Sequence, residues 1–346
     1  DTATTDIYTL SLHDALPIYY QPTKVGESPH NNTLRNWMFM DDNANGINDV
    51  AYETWVDANK NNIRDEQESD IGDFQLLKDM GANTIRIYHV SAESGYSPDE
   101  FNKEILRDLY KRYGIMVVMG DFLGAYTVGS GANWNVGTDY TDKAQREKMK
   151  EIVRQLVLDH KDEPYVLMWV LGNENNMSGE YDGVNATRTN AWKEPRAYAE
   201  FLNEVSAMIH EIDPNHPVAV GNFGEGLTDY YAKYAQELDV LGINSYVDKD
   251  GFGGLWQRAR DEFDRPVLIT EYGCDAFDSN KNEFDETNQM LWHEGAWNSI
   301  EQNRAGELGQ GNCIGGIAFE WVDEWWKSPN GPYETQQTTK DVKRKR

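Results

Sequence analysis

Short apolar runs alternate with amphipathic stretches along most of the chain. TIRIYHV (84–90), IMVVMGDF (115–122), YVLMWVLGNE (165–174), PVAVGNF (217–223), VLGINSY (240–246), PVLITEYG (266–273) and GGIAFEWVD (315–323) are near-continuously apolar and rich in β-branched residues. Parallel strands with both faces buried read this way, because neither face can carry a polar alternation. IYYQP (18–22) is a candidate first strand. Helices are expected between the runs, over 70–80, 97–114, 141–160, 196–212, 228–238, 254–264 and 286–304. The one over 97–114 has Ser97 as N-cap, Pro98 in the first turn, Glu100 completing a capping box and Gly114 as its stop.

Eight strands with seven intervening helices predict an α/β fold of the (β/α)8 TIM-barrel class. A doubly wound open sheet would also alternate strands and helices, but no glycine-rich phosphate loop follows the first strand. No eighth helix is visible after residue 323, so the chain reads as a fragment truncated at both ends. Residues 1–18, DTATTDIYTLSLHDALPI, resemble a translated sequencing adapter apart from Asp6, where Glu would stand. They are read as a non-native leader, of the kind left in sequences assembled from environmental DNA. The expected organisation is therefore a leader (1–18), a catalytic barrel (19–328) with an acidic insert (41–68), and a polar tail (329–346).

Charge narrows the function. The 346 residues carry a net charge of −27, which opposes binding to phosphate backbones and anionic membranes. No run of eighteen apolar residues is present, so no membrane span is expected. The 11 Trp and 19 Tyr leave room for stacking surfaces beyond the core. The two cysteines, Cys274 and Cys313, fit no disulfide framework or zinc spacing. They fall at opposite ends of neighbouring strands, too far apart to bridge. N-x-Ser/Thr triplets begin at Asn31, Asn176 and Asn185 and are read as chance occurrences.

In a barrel the chemistry sits where strands end and βα loops begin. Glu174 ends VLMWVLGNE on the fourth strand and Glu271 ends VLITE on the seventh. Each follows a run that must be buried, so each stands at the barrel mouth. Glycosidic cleavage needs two such carboxylates, one to protonate the leaving oxygen and one to attack the anomeric carbon or activate a water. Each could instead be an ion-pair partner, a reading that weakens when both acids stand at one mouth.

WVLGNENN and PVLITEYGCDAF resemble the acid/base and nucleophile segments of the clan A glycoside hydrolases, which are retaining (β/α)8 enzymes. YYQPTKVGESP, NTIRIYHV and GGIAFEWVDEWWKSP extend the similarity over residues 19–328, closest to the barrel of family 2, which includes β-galactosidases and β-glucuronidases. The resemblance implies Glu174 as general acid/base and Glu271 as nucleophile. It also implies that Asn173 contacts the sugar 2-hydroxyl and that Tyr246 holds the nucleophile. Trp321 would form the subsite floor, and Arg86 would lie near the nucleophile or serve the fold alone. The β-sandwich domains that precede the family 2 barrel are not seen, and the insert at 41–68 is not a general family feature. Families 5, 72 and 158 of the clan therefore stay open.

Smaller signals add to the site. His89 could contact a sugar hydroxyl or the Glu271 region, or be a hydrogen-bonded structural residue. Asp121 could grip sugar hydroxyls or cap its loop. DANKNNIRDEQE (57–68) places Asp57, Asn59, Asn61, Asp65 and Glu68 at positions 1, 3, 5, 9 and 12 of an EF-hand-like loop, with Ile63 offering its carbonyl. DDNANGIND repeats part of the pattern with Asp41, Asn43, Asn45, Gly46 and Asp49 but has Tyr52 at position 12. A structural Ca2+ in the second loop is expected; solvated Asx turns are the alternative. The expectation is a secreted or periplasmic retaining β-glycosidase of β-galactoside or β-glucan type, with a carbohydrate substrate and no catalytic cofactor. A non-catalytic, calcium-dependent glycan-binding barrel is the alternative.

Overall fold

The computed structural model describes residues 7–11, 44–56, 58–59, 61, 65–89, 103–181, 183–274, 277–278 and 283–321. Eight strands form a closed, all-parallel barrel: β1 (Ile7–Ser11), β2 (Thr84–Ile87), β3 (Met116–Asp121), β4 (Val166–Leu171), β5 (Val218–Phe223), β6 (Val240–Asn244), β7 (Val267–Tyr272) and β8 (Cys313–Ala318). They follow chain order around the barrel, and β8 closes on β1 with Ile7 opposite Gly315.

The expected strands two to eight match within a few residues, whereas the first does not. Residues 7–11, assigned above to the leader, occupy the first slot and pair with both β8 and β2. The expected strand at 18–22 lies outside the described residues. IYTLS is itself a run of β-branched, aromatic and apolar residues, and such a run pairs with an open barrel edge whatever its origin.

Apart from the first, which lies in the acidic insert and was not expected, the helices follow their sequence signals. They are α1 (Asp49–Glu53), α2 (Asp73–Asp79), α3 (Lys103–Asp108), α4 (Lys143–His160), α5 (Pro195–Ile212), α6 (Thr228–Tyr234), α7 (Leu255–Glu262) and α8 (Glu286–Gln302). The cap expected at Ser97, Pro98 and Glu100 lies outside the described residues. The stop at Gly114 is present: the chain widens into a π-turn over Leu109–Tyr113 and ends with Gly114 left-handed at φ 69°. Asp142 caps α4 by accepting from the amides of Ala144 and Gln145, and α5 starts with Pro195 in its first turn.

Strand alternation divides the core in two. Ile85, Ile87, Val117, Met119, Trp169, Leu171, Val218, Val220, Leu241, Ile243, Val267 and Ile269 face outward onto the helices. Val118, Met168, Val170, Ala219, Val240, Leu268 and Ile317 fill the barrel interior. Side chains of this size contribute ~1.5–3 kcal/mol each when fully buried. Toward the C-terminal mouth this apolar filling gives way to a polar layer of Arg86, Asn173, Asn244, Thr270 and Glu271, all buried.

Part of the acidic insert docks on the barrel wall. Ala51 is fully buried, and the amides of Ile71 and Gly72 both donate to the Thr54 carbonyl. Gly72 sits at φ 76°, and a Cβ there would lie 2.4 Å from the Ala51 carbonyl oxygen, so the position requires glycine. Thr54 then donates its hydroxyl to Asp73, the first residue of α2, at 2.7 Å.

Candidate active site

Glu271 projects from β7 into the polar layer and is 5% exposed. Both its carboxylate oxygens are held. Oε1 accepts from the Tyr88 hydroxyl at 2.8 Å and faces Arg86 at 3.4 Å. Oε2 accepts from the Tyr246 hydroxyl at 2.7 Å. Two phenol donors and a guanidinium cast the carboxyl in an acceptor-only role, which is that of the ionised group. Burial, with the Glu271 charge second, drives the Tyr246 phenol well above its ordinary range, so it remains a donor.

Arg86 lies beneath this pair, 1% exposed, with its guanidinium 3.9 Å from the Tyr88 ring centroid. It donates to the Thr270 carbonyl at 2.9 Å and to Asn173 Oδ1 at 3.1 Å, with Asn244 Oδ1 at 3.4 Å. Because Arg can only donate, it fixes which way both amides point. Asn244 thereby turns its Nδ2 toward Asn173 Oδ1 at 3.1 Å and Glu174 Oε1 at 3.2 Å. A continuous chain of polar contacts thus runs from Glu271 through Arg86 and Asn244 to Glu174. The Asn173 Nδ2, by contrast, makes no hydrogen bond to a described residue, which leaves a donor at the mouth.

Glu174 owes its position to an irregular turn. Gly172 and Glu174 both have positive φ, at 76° and 58°. A non-glycine residue held there stores strain of ~1–3 kcal/mol, which surrounding bonds must offset. Those bonds are present: the Glu174 amide donates to the Gly221 carbonyl at 2.8 Å, and its carbonyl accepts from Thr187 Oγ1 at 3.0 Å. Fully buried Asn175 accepts from the Asn173 amide at 2.7 Å and donates to the Phe122 and Leu123 carbonyls and to Tyr140.

Among the residues singled out from sequence, Glu174, Glu271, Asn173, Tyr246 and Arg86 come together in this network. His89 and Asp121 lie side by side instead, with His89 Nδ1 accepting from the Phe122 amide at 3.3 Å and Asp121 Oδ2 without a hydrogen-bond partner among the described residues. His89 Nδ1 lies 3.3 Å from Asp121 Oδ2, and its ring stacks on Phe122 at 5.0 Å. Asp121 Oδ1 also accepts from the Leu123 amide at 2.7 Å, the loop-capping role foreseen for it. Trp321 donates its indole N–H to Asp73 at 2.6 Å, which ties the exit of β8 to the start of α2. Asp73 is buried, and desolvation raises its pKa against the lowering effect of the Thr54 and Trp321 hydrogen bonds.

Three residues of the site were missed. Tyr88 holds Glu271, Asn244 links the two carboxylates, and Phe319 packs edge-on against both Tyr88 and Tyr246 at 6.4 Å. The signal for the first two was strand parity. Tyr88 lies two residues beyond Arg86 and Asn244 two before Tyr246, so each shares an inward face with a residue already chosen.

In the loop expected to hold calcium, Asp57 and Ile63 lie outside the described residues. The other four candidate ligands converge. Asn59 and Asn61 donate their amides to Asp65 Oδ2. Glu68 accepts from the amides of Ala58 and Asp65, both at 2.9 Å. The related stretch at 41–49 forms an Asx turn where described, with Ile47 N donating to Asn45 Oδ1 at 2.8 Å and Gly46 at φ 84°. Among the described residues no group of three or more His, Cys, Asp or Glu is placed to hold a metal, and no helix is long and apolar enough to cross a membrane. Cys274 is half-buried beyond β7 and Cys313 is buried at the start of β8. Asn176 and Asn185 are buried and bonded internally, so neither presents its sequon at the surface.

Fold and site define the class: a (β/α)8 barrel with two strand-end glutamates joined by a buried polar network at its C-terminal mouth. The profile of the glycosyl hydrolases family 2 TIM barrel domain matches residues 65–297. A β-glucuronidase of Streptococcus agalactiae is 25% identical over 236 residues, which cover 60% of this chain and 33% of that protein. An exo-β-1,4-mannosidase from Opitutaceae bacterium strain TAV5 has TM-score 0.53 and 15% identity, covering 77% of this chain and 50% of that one. A Bacteroides uniformis β-glucuronidase has TM-score 0.51 and 18% identity, covering 72% and 28%. At such identities the two structures show likeness of fold alone. The chain belongs to glycosyl hydrolases family 2, through its TIM barrel domain. It spans about a third of the length of the curated relatives it matches first.

Proposed function

We propose that this barrel hydrolyses β-linked oligo- or polysaccharides with retention of configuration, using Glu271 as nucleophile and Glu174 as general acid/base. The observation that carries the reading is the contrast between the two acids. Glu271 is buried with both oxygens gripped by donors, whereas Glu174 is only partly buried and touched by the Asn244 amide. A nucleophile needs fixed aim and a charge. An acid/base needs access to a leaving oxygen and then to a water.

In the first step a Glu271 oxygen bonds to the anomeric carbon while the glycosidic C–O bond breaks. Glu174 gives its proton to the departing oxygen. In the second step Glu174 takes a proton from water, the water oxygen bonds to the anomeric carbon, and the Glu271 ester bond breaks. Asn173 Nδ2 is the donor available for a sugar 2-hydroxyl. His89, Asp121 and Trp321 would contribute to substrate binding from the rim. Retention calls for carboxyl groups about 5–5.5 Å apart, against roughly 6.5–9.5 Å for inversion.

The similar proteins, a β-glucuronidase and an exo-β-1,4-mannosidase, agree in a β-glycosidic bond and differ in the sugar. The test is a panel of aryl β-glycosides and β-linked oligosaccharides with the Glu271→Gln variant. Turnover should be lost while sugar binding persists; undiminished turnover in that variant would refute the assignment.

A structural Ca2+ in the 57–68 loop belongs to the same reading. Asp57, Asn59, Asn61, Asp65 and Glu68, with the Ile63 carbonyl, would hold it, and it would order the insert without entering the chemistry. The convergence on Asp65 supports this, and an ion would need the Asn59 and Asn61 amides to turn their oxygens inward. An extracellular calcium level would fill such a loop, in keeping with a secreted or periplasmic protein.

A further inference from the structure

The rim next to Glu174 carries aromatic surface that the hydrolytic site does not use. Trp192, in the loop between β4 and α5, is 47% exposed, and Phe223, the last residue of β5, is 45% exposed. By contrast, the aromatic residues that hold Glu271 are turned inward, with Tyr88 1% exposed.

Both exposed residues neighbour main chain that is tied to the Glu174 turn. Asn176, two residues past Glu174 and 2% exposed, accepts from the Phe223 amide at 2.7 Å and donates to the Phe223 and Gly226 carbonyls at 3.0 and 3.2 Å. Phe223 is also the sheet partner of Asn244, whose amide touches Glu174. Gly226 lies against the Trp192 ring and near the Phe223 main chain. A Cβ there would stand 3.2 Å from the Trp192 ring and 3.1 Å from Asn176 Nδ2. Trp192 therefore rests on the Gly226 main chain, which the same buried Asn176 ties to that of Phe223, so the two exposed residues share one stretch of rim, or ledge, beside the Glu174 turn.

We propose that the Trp192–Phe223 ledge is a leaving-group subsite that stacks a pyranose ring of the departing chain. This rests on the reading of Glu174 as acid/base. That group protonates the leaving oxygen, so surface built on its turn faces the leaving side of the scissile bond. A half-exposed indole offers a flat face to the axial C–H groups of a β-linked sugar while the equatorial hydroxyls stay in water. The substrate class that follows is a β-glycan continuing beyond the cleaved bond, rather than one in which the leaving group is a small aglycone.

The experiment compares β-glycosyl fluorides, whose leaving group has no ring, with tetrasaccharides of the same sugar, for the glucosyl, galactosyl, mannosyl and glucuronyl series. For Trp192→Ala, kcat/KM should fall at least tenfold more on the tetrasaccharide than on the fluoride, with Trp192→Phe recovering part of the difference. Gly226→Ala, which crowds the ring, should shift the ratio in the same direction by a few-fold. Equal losses on both substrates overturn the ledge and leave the hydrolytic reading standing. Should the unmodified protein cleave nothing in the panel, the hydrolytic reading fails and binding decides the ledge separately. Tetrasaccharide titration should then quench tryptophan fluorescence in the unmodified protein and not in Trp192→Ala; quenching equal in both, or none in either, overturns the proposal. So does sedimentation that finds a dimer reduced to monomer by Trp192→Ala, because the ledge would then be a contact between copies.

Discussion

Under the proposed retaining mechanism, with Glu271 as nucleophile, Tyr246→Phe tests how the structure divides labour between the two chemical steps. The substitution removes one O–H at 2.7 Å from Glu271 Oε2 and leaves the ring that packs edge-on against Phe319. A hydrogen bond to a charged group contributes ~1.5–3 kcal/mol. The bond is strongest when Glu271 carries its full charge, in the free enzyme. It is weakest when that charge is spent in the glycosyl ester. At each transition state about half the charge remains, so about half the energy, ~0.7–1.5 kcal/mol, separates ground and transition states. In glycosylation the bond favours the ground state, and losing it would speed attack about three- to tenfold, offset by poorer aim. In deglycosylation the carboxylate is the leaving group, so losing the bond slows that step by about three- to tenfold. The variant should accumulate glycosyl-enzyme. Stopped-flow with a dinitrophenyl β-glycoside should show a larger burst, a lower steady-state rate and a lower KM. A slower burst with deglycosylation unchanged would refute the charge argument and leave Tyr246 a purely orienting role.

Further outcomes follow from the same contacts. Gly72→Ala forces a Cβ onto the Ala51 carbonyl at a left-handed position and should destabilise the fold by about 2–4 kcal/mol, read as a lower urea midpoint. His160 is buried against Tyr165, and burial lowers its pKa to about 4. The unfolded chain therefore takes up a proton near pH 6.5 that the native state refuses. Stability should be full above that pH and fall by up to roughly 3 kcal/mol as the pH drops toward 4. His160→Gln should flatten the urea midpoint between pH 6.5 and 4.5, with half-buried His293, also shifted down, supplying part of the slope that remains. Chelation by EDTA should lower the melting temperature and leave the rate per folded molecule intact; lost turnover in a protein still folded would make the ion catalytic.

The strands were legible because their constraint is local and doubled. A run such as VLMWVL must satisfy the barrel interior and the helix layer at once, and only an unbroken apolar stretch does so. Glu174 and Glu271 were legible for the opposite reason, as acids placed where such a run ends. What the pattern could not give was partnership. Tyr88 meets Glu271 across 183 residues, and Asn244 meets Glu174 across 70. Nothing in the neighbourhood of either residue in sequence announces that contact. His89 drew attention because it stands near the end of the second strand's run, yet the face that continues from Arg86 is that of Tyr88. Trp321 came from the family resemblance, and the sequence around it does not reveal that its indole N–H bonds Asp73, 248 residues away. The first strand failed for another reason: origin and propensity are separate properties, and IYTLS has the propensity.

The polar layer sets what the rest of the barrel must supply. A buried Arg86–Glu271 pair gains little net stability once desolvation is counted, and removing one partner is costly because the other charge is stranded. Arg86 Nε has no hydrogen-bond partner, so even the guanidinium is incompletely satisfied. The strained backbone at Glu174 adds to the cost. These penalties lie at the mouth, and the compensation lies below and around it, in the apolar interior and the helix-facing layer. Such a division allows the mouth to be poor for stability and good for chemistry. It also predicts an asymmetry. Arg86→Met, which leaves Glu271 buried without its cation, should destabilise by about 3–5 kcal/mol. Arg86→Met with Glu271→Gln should restore most of that loss, measured as urea midpoints, because no stranded charge remains. A double variant no more stable than Arg86→Met would mean that Arg86 acts through packing on Tyr88 and the bridge to Asn173, and not by neutralising Glu271.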